Sequence, residues 1–94
     1  MLHIYRDGKH NNRVWYQHEA TDELKSANVP NGVTEVYVWY KSEFTDAKGN
    51  VSEDTVYRIS VSTQDIDEIN WNNFLPENIE SLPSATVYAW QGLE

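Results

Sequence analysis

The sequence predicts an α+β fold: a small single domain, mainly an antiparallel sheet of about five strands, with one main helix packed on one face. Three observations point there. Short runs of alternating apolar and polar residues, rich in β-branched and aromatic types, recur between turn formers. The stretch Asp46-Ala47-Lys48-Gly49-Asn50 has such a run on either side, which is the pattern of a long hairpin. One segment, about residues 64–74, carries the cap, the acidic first turn and the apolar stripe of an amphipathic helix.

Residues 2–6 and 13–18 read as the two strands of a first hairpin, joined by Asp7-Gly8-Lys9-His10-Asn11-Asn12, in which Asp-Gly and Asn-Asn are turn formers. Residues 21–27 follow as one or two helical turns, with Asp22 and Glu23 where the helix dipole favours acids and Asn28 and Pro30 as the stop. Pro30-Asn31-Gly32 resets the chain before the strongest strand, residues 33–44. There Val36, Val38, Tyr40 and Phe44 share one face; Glu35, Tyr37, Trp39, Lys41 and Glu43 share the other, wetter one. The return strand, 55–63, puts Tyr57, Ile59 and Val61 on one face and Val56, Arg58, Ser60 and Ser62 on the other. Ser62 or Thr63 caps the helix, whose stripe is Ile66, Ile69 and Phe74, with Trp71 to its side. Pro76 ends it, residues 77–82 make a short turn, and 84–91 form a last strand carrying Val87, Tyr88 and Trp90.

A chain of 94 residues has room for one core and buries only about 60 to 65% of its unfolded surface. Residues 1–92 are taken as the domain and Leu93-Glu94 as the trace of a cloning site. With no cysteine, disulfides and thiolate zinc sites are excluded, so packing carries the fold. Four Trp, six Tyr and two Phe supply the material. No window holds the roughly 20 apolar residues of a membrane helix, and the N-terminus lacks a signal-peptide pattern. A soluble, cytoplasmic protein that does not bind membranes is expected.

Motifs of chemistry are missing. His3, His10 and His18 match no metal-ligand spacing, although the predicted first hairpin would set His3 and His18 side by side. Asp46 to Asn50 fails the calcium-loop pattern by residue type and glycine position. There is no nucleophile elbow, Gly-rich phosphate loop or cysteine nucleophile. No enzymatic activity, no cofactor and no metal are therefore expected, with a small enzyme whose site follows none of these motifs as an alternative.

Charge is the more informative feature. The net charge is −8, all of it carried by residues 26–94, and no Lys or Arg follows Arg58. Such a field repels phosphate backbones, which argues against direct nucleic-acid binding. The expectation is a protein-interaction domain that docks on a basic partner, as acidic inhibitors and immunity or anti-defence proteins do, through Asp65, Asp67, Glu68, Trp71, Glu77 and Glu80. Tyr37 and Trp39, on the wetter face of the central strand, offer an alternative aromatic surface suited to a protein anchor or to the sugar rings of a carbohydrate-binding module, the alternative function. The two edges of an open sheet also leave room for a homodimer.

Overall fold

A computed structural model describes residues 1–94. It has β1 (Leu2–Asp7), α1 (Arg13–Ser26), β2 (Glu35–Thr45), β3 (Val51–Ser62), α2 (Thr63–Glu68), a 3-10 turn η1 (Pro76–Ser81) and β4 (Thr86–Ala89). The α+β class holds, but the sheet is mixed and has four strands in the order β1-β2-β3-β4. β1 runs parallel to β2, and the other two pairings are antiparallel.

The first hairpin is the main correction. Residues 13–18 are the beginning of a 14-residue helix, so the chain makes a β-α-β crossover, the connection that a parallel pair requires. Val14, Trp15 and Tyr16 look strand-like one by one, but the Asn12 side chain accepts a hydrogen bond from the Val14 amide at 2.8 Å and starts the helix. Tyr16, Ala20 and Leu24, spaced by four, then form its buried stripe together with Gln17 and Thr21. His3 and His18 therefore lie on different elements.

The central hairpin is present with the predicted turn. Asp46 Oδ1 accepts from the Lys48 and Asn50 amides at 2.8 and 3.0 Å, and Gly49 takes φ +83°. The register slips at Tyr40: Tyr40 faces Tyr57 and Lys41 faces Thr55, so Val56 is an extra residue, a β-bulge. The bulge turns Val56 inward beside Tyr57, and both are buried where alternation predicted one. Its carbonyl accepts from the Trp90 amide at 2.8 Å.

The predicted helix 64–74 is cut short. Ser62 Oγ caps it, but Ile69 is already extended (ψ 129°), and the Asn70 side chain accepts from the Asn72 amide, which turns the chain away. Likewise the last strand keeps only four residues. Leu93 packs against the core, and Glu94 exchanges backbone hydrogen bonds with Asn11 and Arg13. No helix is long and apolar enough to cross a membrane.

The core lies between the sheet and the α1/η1 side. Its central group is Tyr16, Tyr40 and Tyr57; Tyr16 stacks on Tyr57 at 5.4 Å and meets Tyr40 edge-on at 5.0 Å. Gly8 lies against this group, where a methyl group would fall on Val56 Cγ2 and within 3.2 Å of the Tyr16 hydroxyl. Gly8→Ala is expected to destabilise the domain by about 1–3 kcal/mol through overpacking. The urea midpoint measured by tryptophan fluorescence checks this; an unchanged midpoint would show that the loop before α1 can yield.

Candidate functional site

With the helical elements packed on one face of the sheet, the side chains of the other face stand uncovered. Cross-strand register arranges them in rows. Tyr5 on β1 faces Trp39 on β2, Trp39 faces Arg58 on β3, and Arg58 faces Tyr88 on β4. Tyr5 stacks on Trp39 at 5.3 Å with planes 13° apart, while Arg58 lies over Trp39 at 5.4 Å and over Tyr88 at 6.0 Å. A π-π-cation-π row thus crosses all four strands. Lys41 Nζ lies over the Tyr5 ring at 5.1 Å.

The next row is His3, Tyr37, Ser60 and Thr86. His3 contacts both Tyr37 and Trp39 at 5.2 Å. Because Ser60 and Thr86 are small, the surface dips between the rows into a cleft of about 500 Å³ lined by His3, Glu35, Tyr37, Trp39, Arg58 and Ser60, among others. Tyr5 and Tyr88 keep 51% and 43% of their surface exposed, far more than a core aromatic does. Trp39 is flanked from both sides, so it offers no free ring face for a sugar. Its Nε1–H is buried without a partner, as is the Tyr40 hydroxyl, each at a cost of roughly 1–3 kcal/mol.

The six residues expected to form an acidic docking surface do not form one patch of free charges. Asp65 accepts from the Ser84 amide at 2.9 Å and from its hydroxyl, tying α2 to the segment before β4. Glu77 pairs with His18 at 2.9 Å, which holds its carboxyl below the usual range. Glu80 takes the Arg13 guanidinium in a two-bond fork (2.9 and 3.1 Å) and accepts from the Tyr57 hydroxyl at 2.6 Å. Trp71 is half-buried against Phe74. Asp67 and Glu68 are exposed. The three histidines go separate ways: His3 joins the open face, His10 stacks on Trp15 at 3.7 Å, and His18 meets Glu77. Sequence alternation finds Tyr37 and Trp39; Tyr5, Tyr88 and Arg58 join them only through cross-strand register.

Burial pushes the Glu80 carboxyl up, but hydrogen bonds from Arg13, Tyr57 and Gln17 outweigh it and leave the pKa lowered. A carboxyl held below its unfolded value stabilises the fold above the carboxylate range, and that stabilisation is lost as the pH falls through the folded value. Glu80→Gln is therefore expected to cost about 2 kcal/mol at pH 7, the scale of hydrogen bonds to a charged group. The gap to the parent protein should narrow as pH falls below about 4. Urea titrations across pH check this; a gap independent of pH would assign the loss to shape alone.

Comparison with protein-family models, with curated proteins and with solved structures found no match to this chain.

Proposed function

We propose that this chain is a non-catalytic protein-interaction domain that engages its partner through the open face of its sheet, with Tyr5, Tyr37 and Tyr88 as contact residues. The observation that carries the reading is the uncovered aromatic row: Tyr5 and Tyr88 stand at its two ends and stay exposed, while Tyr37, Trp39 and Arg58 line the cleft beside it. Tyrosine and arginine are the residue types that anchor interfaces, because they give large contact area with little rotamer freedom to lose. The net charge of −8 favours a partner with a basic surface and speeds its approach. Asp67, Glu68 and the hairpin acids Glu43, Asp46, Glu53 and Asp54 are exposed and contribute to that field.

A shared prediction separates anchoring from steering. Tagged protein is used to capture partners from host lysate, alongside a Tyr37→Ser/Tyr88→Ser variant. The variant should lose a captured protein that the parent retains, by about tenfold or more, the loss expected when interface anchors are truncated. Its melting temperature should fall only modestly, since both rings lie outside the core and the loss is confined to their cross-strand contacts. Raised salt should slow association of the parent without abolishing the complex. Equal capture by parent and variant would remove the open face as the binding surface.

A further inference from the structure

We infer that the cleft beside Arg58 recognises a single carboxylate presented by the protein partner; this rests on the interaction reading above and names the chemistry that its face selects. The chain's three arginines are used in two different ways. Arg6 grips Glu23 and Arg13 grips Glu80, each through two hydrogen bonds. Arg58 takes part in none of the chain's three ion pairs. It is held instead by Trp39 at 5.4 Å and Tyr88 at 6.0 Å. Aromatic rings stabilise a guanidinium through its charge but accept none of its in-plane N–H bonds. Arg58 is thus half-buried, bracketed by two rings, and part of the cleft lining, with no hydrogen-bond partner on its guanidinium.

A fixed, planar fork of N–H donors matches a carboxylate, whose two oxygens lie in one plane at the right spacing for paired bonds. Because the rings already restrict the side chain, little rotamer entropy remains to be lost on binding. Ser60 and Thr86 bring hydroxyls to the same cleft. The Ser62 and Ser84 hydroxyls, also on its lining, are already engaged: Ser62 Oγ accepts from the Asp65 amide as the cap of α2, and Ser84 Oγ accepts from the Ser62 amide and donates to Asp65.

The other end of the cleft limits what can follow the carboxylate. Glu35 lies on the same strand and face as Trp39, about 13 Å away at the usual rise per residue. A continuous polyanion lying along the cleft would bring further negative charge to Glu35, inside a chain of net charge −8. A peptide segment with one acidic residue, and a basic or amide group a few residues away, satisfies both ends. Such a segment on a partner that is basic overall agrees with the long-range field.

The test uses the intact, isotopically labelled chain and follows the Arg58 Nε–H and Trp39 Nε1–H signals by NMR. The probes are a capped pentapeptide with one aspartate between tyrosine and lysine, its asparagine counterpart, its phosphoserine counterpart and a polyglutamate peptide. Saturable shifts of both signals are expected with the aspartate peptide, with affinity at least about tenfold weaker for the asparagine form and for Arg58→Lys, which keeps the charge and loses the fork. Polyglutamate should bind less well than the aspartate peptide and recover with Glu35→Gln. No binding, equal affinity for the aspartate and asparagine forms, a preference for phosphoserine, or indifference to Arg58→Lys would each overturn the inference. The parent chain alone decides the peptide comparison, so a misfolded variant leaves it intact. If Arg58→Lys still captures the partner that Tyr37→Ser/Tyr88→Ser loses, the carboxylate site falls and the interaction face stands. If the tyrosine variant captures normally, the interaction reading falls and takes this inference with it.

Discussion

The hydrogen bond from the Tyr57 hydroxyl to Glu80 decides how the rest of the molecule is arranged. Tyr57 is fully buried at the centre of the sheet, and a phenol there needs an acceptor, since an unmade bond would cost about 1–3 kcal/mol. Glu80 supplies it from η1, and its charge is then balanced by Arg13 in the first turn of α1. One carboxylate therefore joins a strand, a 3-10 turn and a helix that are far apart in sequence. Tyr16 completes the arrangement by stacking on Tyr57 and exchanging hydrogen bonds with the His10 backbone. These bonds commit the available helical structure to one side of the sheet, and so fix which face is left open.

That asymmetry explains an otherwise costly surface. A chain of 94 residues with one 14-residue helix has enough material to cover one face of a four-stranded sheet and no second layer for the other. Solvent-facing positions of an antiparallel pair are ordinarily polar. Here they hold His3, Tyr5, Tyr37, Trp39 and Tyr88, with Arg58 and Lys41 laid across them. Cross-strand aromatic pairs contribute about 0.2–1 kcal/mol each, so part of the row stabilises the sheet directly. The exposure that remains on Tyr5 and Tyr88 is not needed for that, and it is this surplus that supports an interface.

Local periodicity made the hairpin legible because β2 and β3 alternate over many residues and Asp46-Ala47-Lys48-Gly49-Asn50 can only turn. It failed at α1 because Val14, Trp15 and Tyr16 favour strands singly, while the helical pattern, Tyr16, Ala20 and Leu24 behind an Asn12 cap, is spread over a longer window and diluted by Gln17 and Thr21. Losing that helix also lost the parallel pairing, since β1 can lie beside β2 in that sense only if a crossover intervenes. The pairing of the acids is illegible for a different reason: Arg13 and Glu80 lie 67 residues apart, and no local pattern announces such a pair. Arg58 was legible as a wet position of β3 but not as part of a row, because rows are set by register and the bulge at Val56 shifts register beyond Tyr40.

Charge acts on two length scales in this molecule, and the two have opposite signs. At long range the chain is an anion, and it even tolerates Glu43 directly opposite Glu53 on the exposed hairpin, a like-charge pair that costs stability in a sheet. That field decays over about 8 Å at physiological ionic strength, so it selects partners by overall sign and speeds their approach without specifying where they dock. Within the open face the only charges in the cross-sheet row are positive, and Arg58 is clamped by rings that also shield it from bulk water. Shielding strengthens a contact made at that point and makes a mismatch there more costly. An acidic surface with a basic, aromatic centre can therefore attract cationic proteins broadly while rewarding one whose surface carries a carboxylate at a single position, which is how a small domain without a deep pocket can still be specific.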